Sequence, residues 1–566
     1  MIFKGVIIDL DDTIYNYTEC HKNGYDILLN YLSEISLIDI SIISDKYKYF
    51  KKELNINLIN RASSHNKLLV IQKIFEYYKL PYLKILTALQ IYWEGFYDKI
   101  FLNMGVFELL IYLKENKIPI CILTDHTLKE QYEKCEKLNI LEYVDYMVSS
   151  EEVGEEKPNK KMFYYALDKL KLSKEEVIMI GDNFDKDIVG SIQFEILSFY
   201  YNIESKNNII LCDNYFEFDN FNNLLLFIQN INDELNIFSL MSKYYGMRYD
   251  LIQSGGGNTS FKLNNLIFIK ESGISLTDIT NSNGYLILNN DKIKYDIDNN
   301  LIIYNNFDKY QLFYKNKKPS METYMHSILL KYTVHLHPIQ INYIGIRKNG
   351  FEIFKSLFPE SLIINYFTPG ITLCKEIYKL YKNEKIIFLL NHGVIFTSND
   401  YDELKILIDE TINICEKFNG SYFIKYKNVN KINELYKEFD KNLITYCSDD
   451  IISNNHITNI ELFIENTTFP DKIVYCGISS LIIKNINIQN DFNNYIKKYN
   501  DIPKIIIYNS NIYITSISIK KCKEIEDILK SNILISNNNS NISYLQDDEI
   551  KFLNNWDIEK YRKNIK

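Results

Sequence analysis

No apolar stretch in the chain approaches the roughly 20 residues that a membrane helix needs, so a membrane partner or span is not expected. The N-terminus lacks a cationic segment followed by an apolar one, because Asp9 interrupts Val6-Ile7-Ile8 too early for a secretory signal. The nine cysteines include no C-x-x-C pair, which argues against a disulfide framework and suits free thiols in a reducing cytoplasm. A cationic surplus is missing as well. The 64 Lys+Arg stand against 73 Asp+Glu, a formal charge of −9, so a nucleic-acid partner is not expected, since phosphate binding needs concentrated positive surface. No internal repeat at a solenoid period is present. Glycine (19) and proline (9) are scarce, while tyrosine (46), isoleucine, lysine and asparagine fill much of the chain, as an AT-rich genome would produce. Asn clusters and Lys runs therefore carry little information, and each retained Gly, His or Pro carries more. What remains is globular: 566 residues, 46% hydrophobic and 24% charged, enough for about three or four folding units.

The first segment alternates β-branched runs with amphipathic helical patterns. Val6-Ile7-Ile8, Ile120 to Leu123 and Val177 to Ile180 have the length and apolarity of buried parallel strands. Each ends in a polar cluster, and in open α/β sheets such clusters converge at the carboxyl edge. The roughly one hundred residues between the first two runs read as helical, for example Tyr77 to Trp93, and form an insert over that edge, about 16–100. Near 206–235 the pattern loses its strands and becomes Asn/Asp-rich, which reads as a linker after a first unit of 1–205. A second unit runs over 236–445 and holds four of the eight histidines. An extension of short β-rich runs and an amphipathic tail from Asp547 to Lys563 occupies 446–566.

Asp9-Leu10-Asp11-Asp12-Thr13 follows the first strand. Two carboxylates two residues apart can divide the work of phosphoryl transfer, one attacking phosphorus and the other moving the leaving-group proton. Carboxylates alone repel a phosphate dianion, so a divalent cation has to bridge them. Thr124 ends the second strand, Lys157 follows in Val153-Gly154-Glu155-Glu156-Lys157-Pro158, and Gly181 to Asp187 adds Asp182 and Asp187 at a third strand end. These residues, in this order, resemble the haloacid dehalogenase superfamily of phosphatases over about 1–205. The resemblance implies a Rossmann-like core with a helical cap and a Mg²⁺ cofactor. It also implies Asp9 as the nucleophile that becomes an aspartyl-phosphate and Asp11 as general acid/base. Thr124 and Lys157 match the phosphate-holding positions, and Asp182 and Asp187 join Asp9 and Asp11 around the metal. Asp125 and His126 are open between substrate contact and a satisfied loop.

Ser254-Gly255-Gly256-Gly257-Asn258-Thr259-Ser260 is a Gly-rich loop in a Gly-poor chain, able to approach a ligand with its backbone and to form an anion-binding nest. His335 and His337 are two apart, so on a strand they share one face, and His392 in Leu390-Asn391-His392-Gly393 supplies a third nitrogen. Three imidazoles with open positions suit a catalytic Zn²⁺. With Ile269 to Ile274 and Pro319 to His326, the set resembles the class II aldolase/adducin family. The resemblance implies an α/β domain with a central sheet flanked by helices, Zn²⁺ on His335, His337 and His392, and Glu322 as acid/base. Gly257, Asn258, Ser272, Gly273 and Ser320 match phosphate-cradling positions. It further implies aldol cleavage and condensation of a ketose 1-phosphate, dihydroxyacetone phosphate being one fragment, through a metal-stabilised enediolate. The short spacing of Glu322 from His335, Thr467 to Asp471 and the tail Asn555 to Arg562 are similar to the long members, related to the aldolase half of rhamnulose-1-phosphate aldolase/alcohol dehydrogenase proteins. No G-x-G-x-x-G follows a strand after residue 450, so no attached dehydrogenase is expected. Tyr366 lies in a context similar to the family's leaving-group tyrosine, but with tyrosine so common it is not assigned that role.

The expectation is a bifunctional cytoplasmic enzyme of phosphorylated sugars, a homotetramer by resemblance. Two alternatives remain open for the second half: a sugar-phosphate epimerase or dehydratase on the same metal, and a metal-free adducin-like scaffold.

Overall fold

The computed structural model describes residues 3–205, 208–302, 306–312, 317–464, 467–484, 487–537, 539, 541–546, 548–550 and 552. The chain divides into two compact units, Met1–Glu234 with Leu312–Lys315, and Leu235–Gln311 with Asn316–Lys566. The architecture is α/β throughout, as expected.

Seven strands form the sheet of the first unit: β1 (Gly5–Ile8), β2 (Ile120–Thr124), β3 (Tyr146–Ser149), β4 (Val177–Gly181), β5 (Leu197–Tyr201), β6 (Ile209–Cys212) and β7 (Tyr215–Phe218). Their order is β3-β2-β1-β4-β5-β7-β6, parallel except for β6. Every residue of β1, β2 and β4 is buried, the arrangement that continuous β-branched runs adopt when helices cover both faces. Ile7, Cys121, Leu123 and Met179 pack there against Met162 and Phe163 of the helix Lys160–Leu170. The insert after β1 holds four helices, Tyr17–Ser36, Ile40–Asn57, Lys67–Tyr78 and Ile85–Tyr97. The stretch Tyr77 to Trp93, which reads as continuous, is two helices. Lys79 takes a left-handed cap (φ 53°) and Pro81 follows it, so the first helix cannot continue.

The segment read as a linker is corrected by the structure. Within 206–235, β6 and β7 form a hairpin whose second strand pairs with β5, and a helix starts at Phe221. Phe216 and Phe218 are buried and stack toward Phe199 and Tyr201. Alternating aromatics supplied the strand pattern, and the surrounding Asn and Asp residues masked it.

The second unit holds another seven-stranded sheet: β8 (Asn258–Leu263), β9 (Leu266–Lys270), β10 (Tyr285–Asn289), β11 (Tyr332–Leu336), β12 (Leu362–Ile364), β13 (Ile386–Leu389) and β14 (Gly393–Ser398). The order is β10-β9-β8-β11-β14-β13-β12, antiparallel except for β12 against β13. A smaller sheet follows, from β15 (Ile444–Cys447), β16 (Leu481–Ile482), β17 (Ile505–Tyr508) and β18 (Asn511–Ser516), in the order β15-β18-β17-β16. It has its own apolar core with the helices Ile488–Tyr499 and Ile519–Ser536. The division expected at 445/446 cuts through β15. Tyr426, Val429 and Ile432 of the helix Ile424–Glu434 already belong to that core, so the smaller sheet recruits a helix from before the expected boundary. Thr467 to Asp471 lies in this part, beside the turn Lys472–Cys476. The tail residues Asn555 to Arg562 lie outside the described residues, as does most of the expected amphipathic tail. All nine cysteines are free. Among the described residues no single helix is long and apolar enough to cross a membrane.

Candidate active sites

In the first unit the carboxyl ends of β1, β2 and β4 bring Asp9, Thr124 and Asp182 to one edge. Oxygens of Asp9, Asp182 and Asp187 lie within 4.8 Å of one another. Lys157 is buried among them, its ammonium donating to Asp9 Oδ1 at 2.5 Å, Asp187 Oδ1 at 2.7 Å and the Leu123 carbonyl at 3.0 Å. Thr13 is a hinge of this cluster: its hydroxyl reaches Asp9 Oδ2 at 3.1 Å and Asp182 Oδ1 at 2.9 Å and accepts from the Asp182 amide. One ammonium among three carboxylates leaves an excess of negative charge. Burial pushes Asp9 well above the usual carboxylate range, with Asp187, Asp182 and Asp11 adding to it against the pull of Lys157. Burial and the neighbouring Asp187 raise Asp182 to about 7. An all-oxygen donor set that crowded fits a hard divalent cation such as Mg²⁺, which would neutralise the surplus.

Asp11 stands apart from the three-carboxylate group. Its oxygens accept from Lys134 Nζ at 2.7 Å, from Gln131 Nε2 at 2.8 Å and from the Tyr15 hydroxyl, with His126 Nε2 at 3.6 Å. Burial works to raise its pKa, and Lys134 and His126 overcome that, holding it well below the usual carboxylate range. Gln131 also donates to the Thr124 hydroxyl. Asp125 accepts from the Lys157 amide at 2.9 Å and from Lys186 Nζ at 2.8 Å, so its carboxylate secures the loop that carries Lys157. Substrate contact is not needed to account for it. These groups line a cavity of about 350 Å³ together with insert residues, among them Lys51, His65 and Lys67.

In the second unit, antiparallel pairing places the start of β8, the end of β11 and the β13–β14 turn at one edge, and Asn258 is the register partner of His335. His335 is the last residue but one of β11, His337 follows the strand, and His392 sits in the turn before β14. One nitrogen of each lies within 4.8 Å of the others. Gly393 is required here by close approach: a Cβ would meet the Leu336 carbonyl at 2.4 Å and His337 Cδ2 at 2.8 Å. Glu322, at the N-terminus of the helix Thr323–Ile328, accepts on Oε2 from Asn258 Nδ2 at 2.5 Å and faces His335 Nδ1 at 2.6 Å, while Oε1 is 3.6 Å from His392 Nε2. The Nε2 atoms of His335 and His337 and Nδ1 of His392 are buried without a hydrogen-bond partner. Buried polar atoms are ordinarily satisfied, so three imidazoles that bring one nitrogen each within 4.8 Å of the others, and that each keep an unpartnered nitrogen, fit a Zn²⁺ ion. Burial, then the positive field of the neighbouring imidazoles, lowers His337 to about 3 and His392 to about 4. Both rings are thus neutral and able to donate to a metal at physiological pH. Burial opposes ionisation of Glu322, but His335, His392 and His326 hold it down to about 2.

Gly256 lies against this cluster, 3.0 Å from His337 Nδ1 as judged from a Cβ position, and Gly257 is left-handed (φ 70°) beside the His335 carbonyl. Lys270 Nζ donates to the Gly255 carbonyl at 3.1 Å, and its own carbonyl accepts from the Ser320 amide. Ser320 Oγ accepts from the Glu322 amide at 3.2 Å. Ser272 and Gly273 (φ 86°) sit exposed after β9. Tyr366 is exposed at 59% and lies outside these contacts.

Comparison with known proteins supplies the family. The family model for haloacid dehalogenase-like hydrolases matches residues 3–194. That for the class II aldolase and adducin N-terminal domain matches 238–418. A ribulose-1,5-bisphosphate 5-phosphatase of Halopiger xanaduensis is 31% identical over 190 residues, 33% of this chain and 80% of that protein. The chain belongs to the haloacid dehalogenase-like hydrolases, with a class II aldolase and adducin domain fused behind. A glyceraldehyde 3-phosphate phosphatase of Methanocaldococcus jannaschii is 28% identical over 214 residues, 35% of this chain and 87% of that protein. Among solved structures, the N-terminal class II aldolase domain of a conserved Thermoplasma acidophilum protein superposes with a TM-score of 0.30 at 23% identity, covering 32% of this chain and 91% of that one.

Sequence reasoning gave no role to Thr13, Gln131 and Lys134 of the hydrolase or to Lys270 of the aldolase and adducin domain. Gln131 and Lys134 are three apart on the helix Leu128–Lys137, which turns both toward Asp11. That spacing was available, but lysine is too common in this chain for it to stand out.

Proposed function

We propose that the chain is a bifunctional enzyme of phosphorylated sugars, a Mg²⁺-dependent phosphomonoesterase joined to a Zn²⁺-dependent aldolase. The observation that carries it is the pair of donor sets: three crowded carboxylates around Lys157, and three converging imidazoles beside an ionised Glu322. The relatives named for phosphorylated sugar substrates support the substrate class.

In the hydrolase, Asp9, Asp182 and Asp187 would hold the magnesium, which would supply charge neutralisation at the phosphoryl oxygens. Asp9 attacks phosphorus, the P–O bond to the sugar breaks and the sugar hydroxyl leaves, and water then hydrolyses the aspartyl-phosphate, a mixed anhydride, to release phosphate. The ionised Asp11 takes a proton from the attacking water and passes that proton to the leaving oxygen of the next turnover, with Lys134, Gln131 and Tyr15 fixing its direction. Lys157 and the Thr124 hydroxyl meet the transferring phosphoryl oxygens.

In the aldolase, His335, His337 and His392 would hold the zinc, which would supply Lewis-acid polarisation of a substrate carbonyl. Glu322, oriented by Asn258, removes and returns the proton at the carbon and hydroxyl being made or broken. Gly257, Asn258, Ser272, Gly273 and Ser320 supply the edge for the substrate phosphate, and buried Lys270 adds positive charge beside it. Location in the cytoplasm is supported by nine free thiols, and a homotetramer is the assembly to test by light scattering.

The test incubates the purified chain with p-nitrophenyl phosphate and with a panel of ketose phosphates, with added metals and with chelator, and follows products by phosphate release and NMR. Magnesium-dependent phosphate release and zinc-dependent cleavage into two carbonyl fragments are expected. An inverted centre or a lost water would replace the aldolase by an epimerase or dehydratase. A zinc-free protein of unchanged stability would make the domain a scaffold.

A further inference from the structure

The hydrolase cavity carries positive charge that the transfer chemistry does not use. Four lysines line it: Lys51, Lys67, Lys157 and Lys186. Lys157 is neutralised by Asp9 and Asp187, and Lys186 by Asp125 and Glu156. The other two come from the helical insert, Lys51 from the helix Ile40–Asn57 and Lys67 from the first position of Lys67–Tyr78. Lys67 is only 5% exposed, and its ammonium donates to the Tyr17 hydroxyl at 3.0 Å. Among the described residues neither lysine is in an ion pair. Burial lowers Lys67 to about 8, with Glu130 and Asp11 drawing it back only in part. Burial, then the field of Lys67, lowers Lys51. A buried ammonium without an anion is costly, and two that repel each other across one cavity make a place for an anion the chain does not supply. Asn55 and Ser64 line the same wall and offer neutral donors.

The core residues of the same cavity, Asp9, Asp182 and Lys157, mark where the scissile phosphate belongs. We propose that the hydrolase takes a doubly anionic substrate: the scissile phosphate lies over Asp9, and a second anionic group, phosphate or carboxylate, is held by Lys67 and Lys51 of the insert. The proposal rests on the phosphatase reading and adds what lies at the other end of the substrate. It also gives the insert a role beyond closing off water, because the insert reads the substrate's second charge.

The experiment uses the full-length protein and three esters of one carbon chain: propyl phosphate, its carboxylate-ended analogue and its bisphosphate analogue. The wild type is expected to prefer at least one of the charged-ended esters over propyl phosphate by about tenfold or more in kcat/KM, chiefly through KM. Lys67→Met and Lys51→Met should each bring that ratio close to one, and Lys67→Arg should keep most of it. Because the readout is a ratio within one preparation, partial loss of folded protein does not imitate it, and the half-buried Lys51 provides a variant with little packing at stake. Which analogue is preferred decides between phosphate and carboxylate. Equal kcat/KM for all three esters, or a ratio unchanged in both Met variants, overturns the proposal. Should the wild type fail to hydrolyse even p-nitrophenyl phosphate, the phosphatase reading falls by itself. Calorimetric titration of the Asp9→Asn protein with the same analogues then decides the subsite: tighter binding of a charged-ended ester, lost in Lys51→Met, supports it, and equal binding ends it.

Discussion

Lys157 donates to Asp9, Asp187 and the Leu123 carbonyl from a buried position, so removing its ammonium leaves carboxylates facing one another out of reach of water. Lys157→Met should therefore destabilise the hydrolase by about 3–5 kcal/mol in the absence of metal. Added magnesium, which neutralises the same oxygens, should restore more stability to the variant than to the wild type. Urea unfolding with and without magnesium checks this, and an identical magnesium response in both proteins would refute the assigned metal position. At this scale the sequence was most legible where residues are scarce. Three of eight histidines converge at one point, and a Gly-rich loop in a Gly-poor chain lies against one of them. It was least legible where residues are common. Lys67, Lys134 and Lys270 are buried and engaged, yet nothing in their neighbours' identities distinguishes them from solvated lysines. Asp11 shows a different limit: its spacing from Asp9 is visible, but only the folded helix Leu128–Lys137 shows that its carboxylate is gripped on a side away from the Asp9, Asp182 and Asp187 group.

Among the elements, the insert helices illustrate how a cavity wall can cost stability. Lys67 opens its helix after an Asn66 cap, which fixes the side chain's direction, and the fold lowers its pKa from 10.5 to about 8. The unfolded chain therefore binds the proton more tightly. Below pH 8 the penalty on the folded state is complete, about 3 kcal/mol, and it fades as pH rises through 8 toward 10.5, where both states are neutral. Lys67→Met should thus be more stable than the wild type at pH 7, with the gap closing by about pH 10. Urea midpoints of both proteins across that range check it, and a gap independent of pH would mean that Lys67 is not buried as a cation. The elements themselves were readable wherever one pattern dominated, as in β1, β2 and β4, which are unbroken apolar runs. The hairpin of β6 and β7 was missed because its alternation rests on Tyr and Phe within a field of Asn and Asp, where composition imitates a linker. The boundary near 445 was misplaced because the core of the smaller sheet draws on Tyr426, Val429 and Ile432, and packing partners from an earlier helix leave no mark at the strand where they are used.

On the scale of the whole molecule, each constellation is complete within one compact unit. Asp9, Asp11, Thr124, Lys157, Asp182 and Asp187 fall in Met1–Glu234, while Asn258, Glu322 and the three histidines fall in the other unit. Each unit has its own sheet and apolar core. Sites whose residues fall in different compact units should respond to mutation independently. Asp9→Asn replaces an attacking carboxylate with an amide of the same shape, so phosphate release should fall by roughly three orders of magnitude or more while aldol turnover and zinc content stay at wild-type levels. His337→Ala removes one of three nitrogens, so bound zinc and aldol turnover should be lost together while phosphate release continues. Both activities and the zinc content, measured on each variant and on the double mutant, test this directly. In the double mutant each loss should equal that of the corresponding single mutant. If either substitution silences both reactions, the two centres form one catalytic system, and assigning phosphate hydrolysis to one unit and carbon–carbon chemistry to the other is wrong.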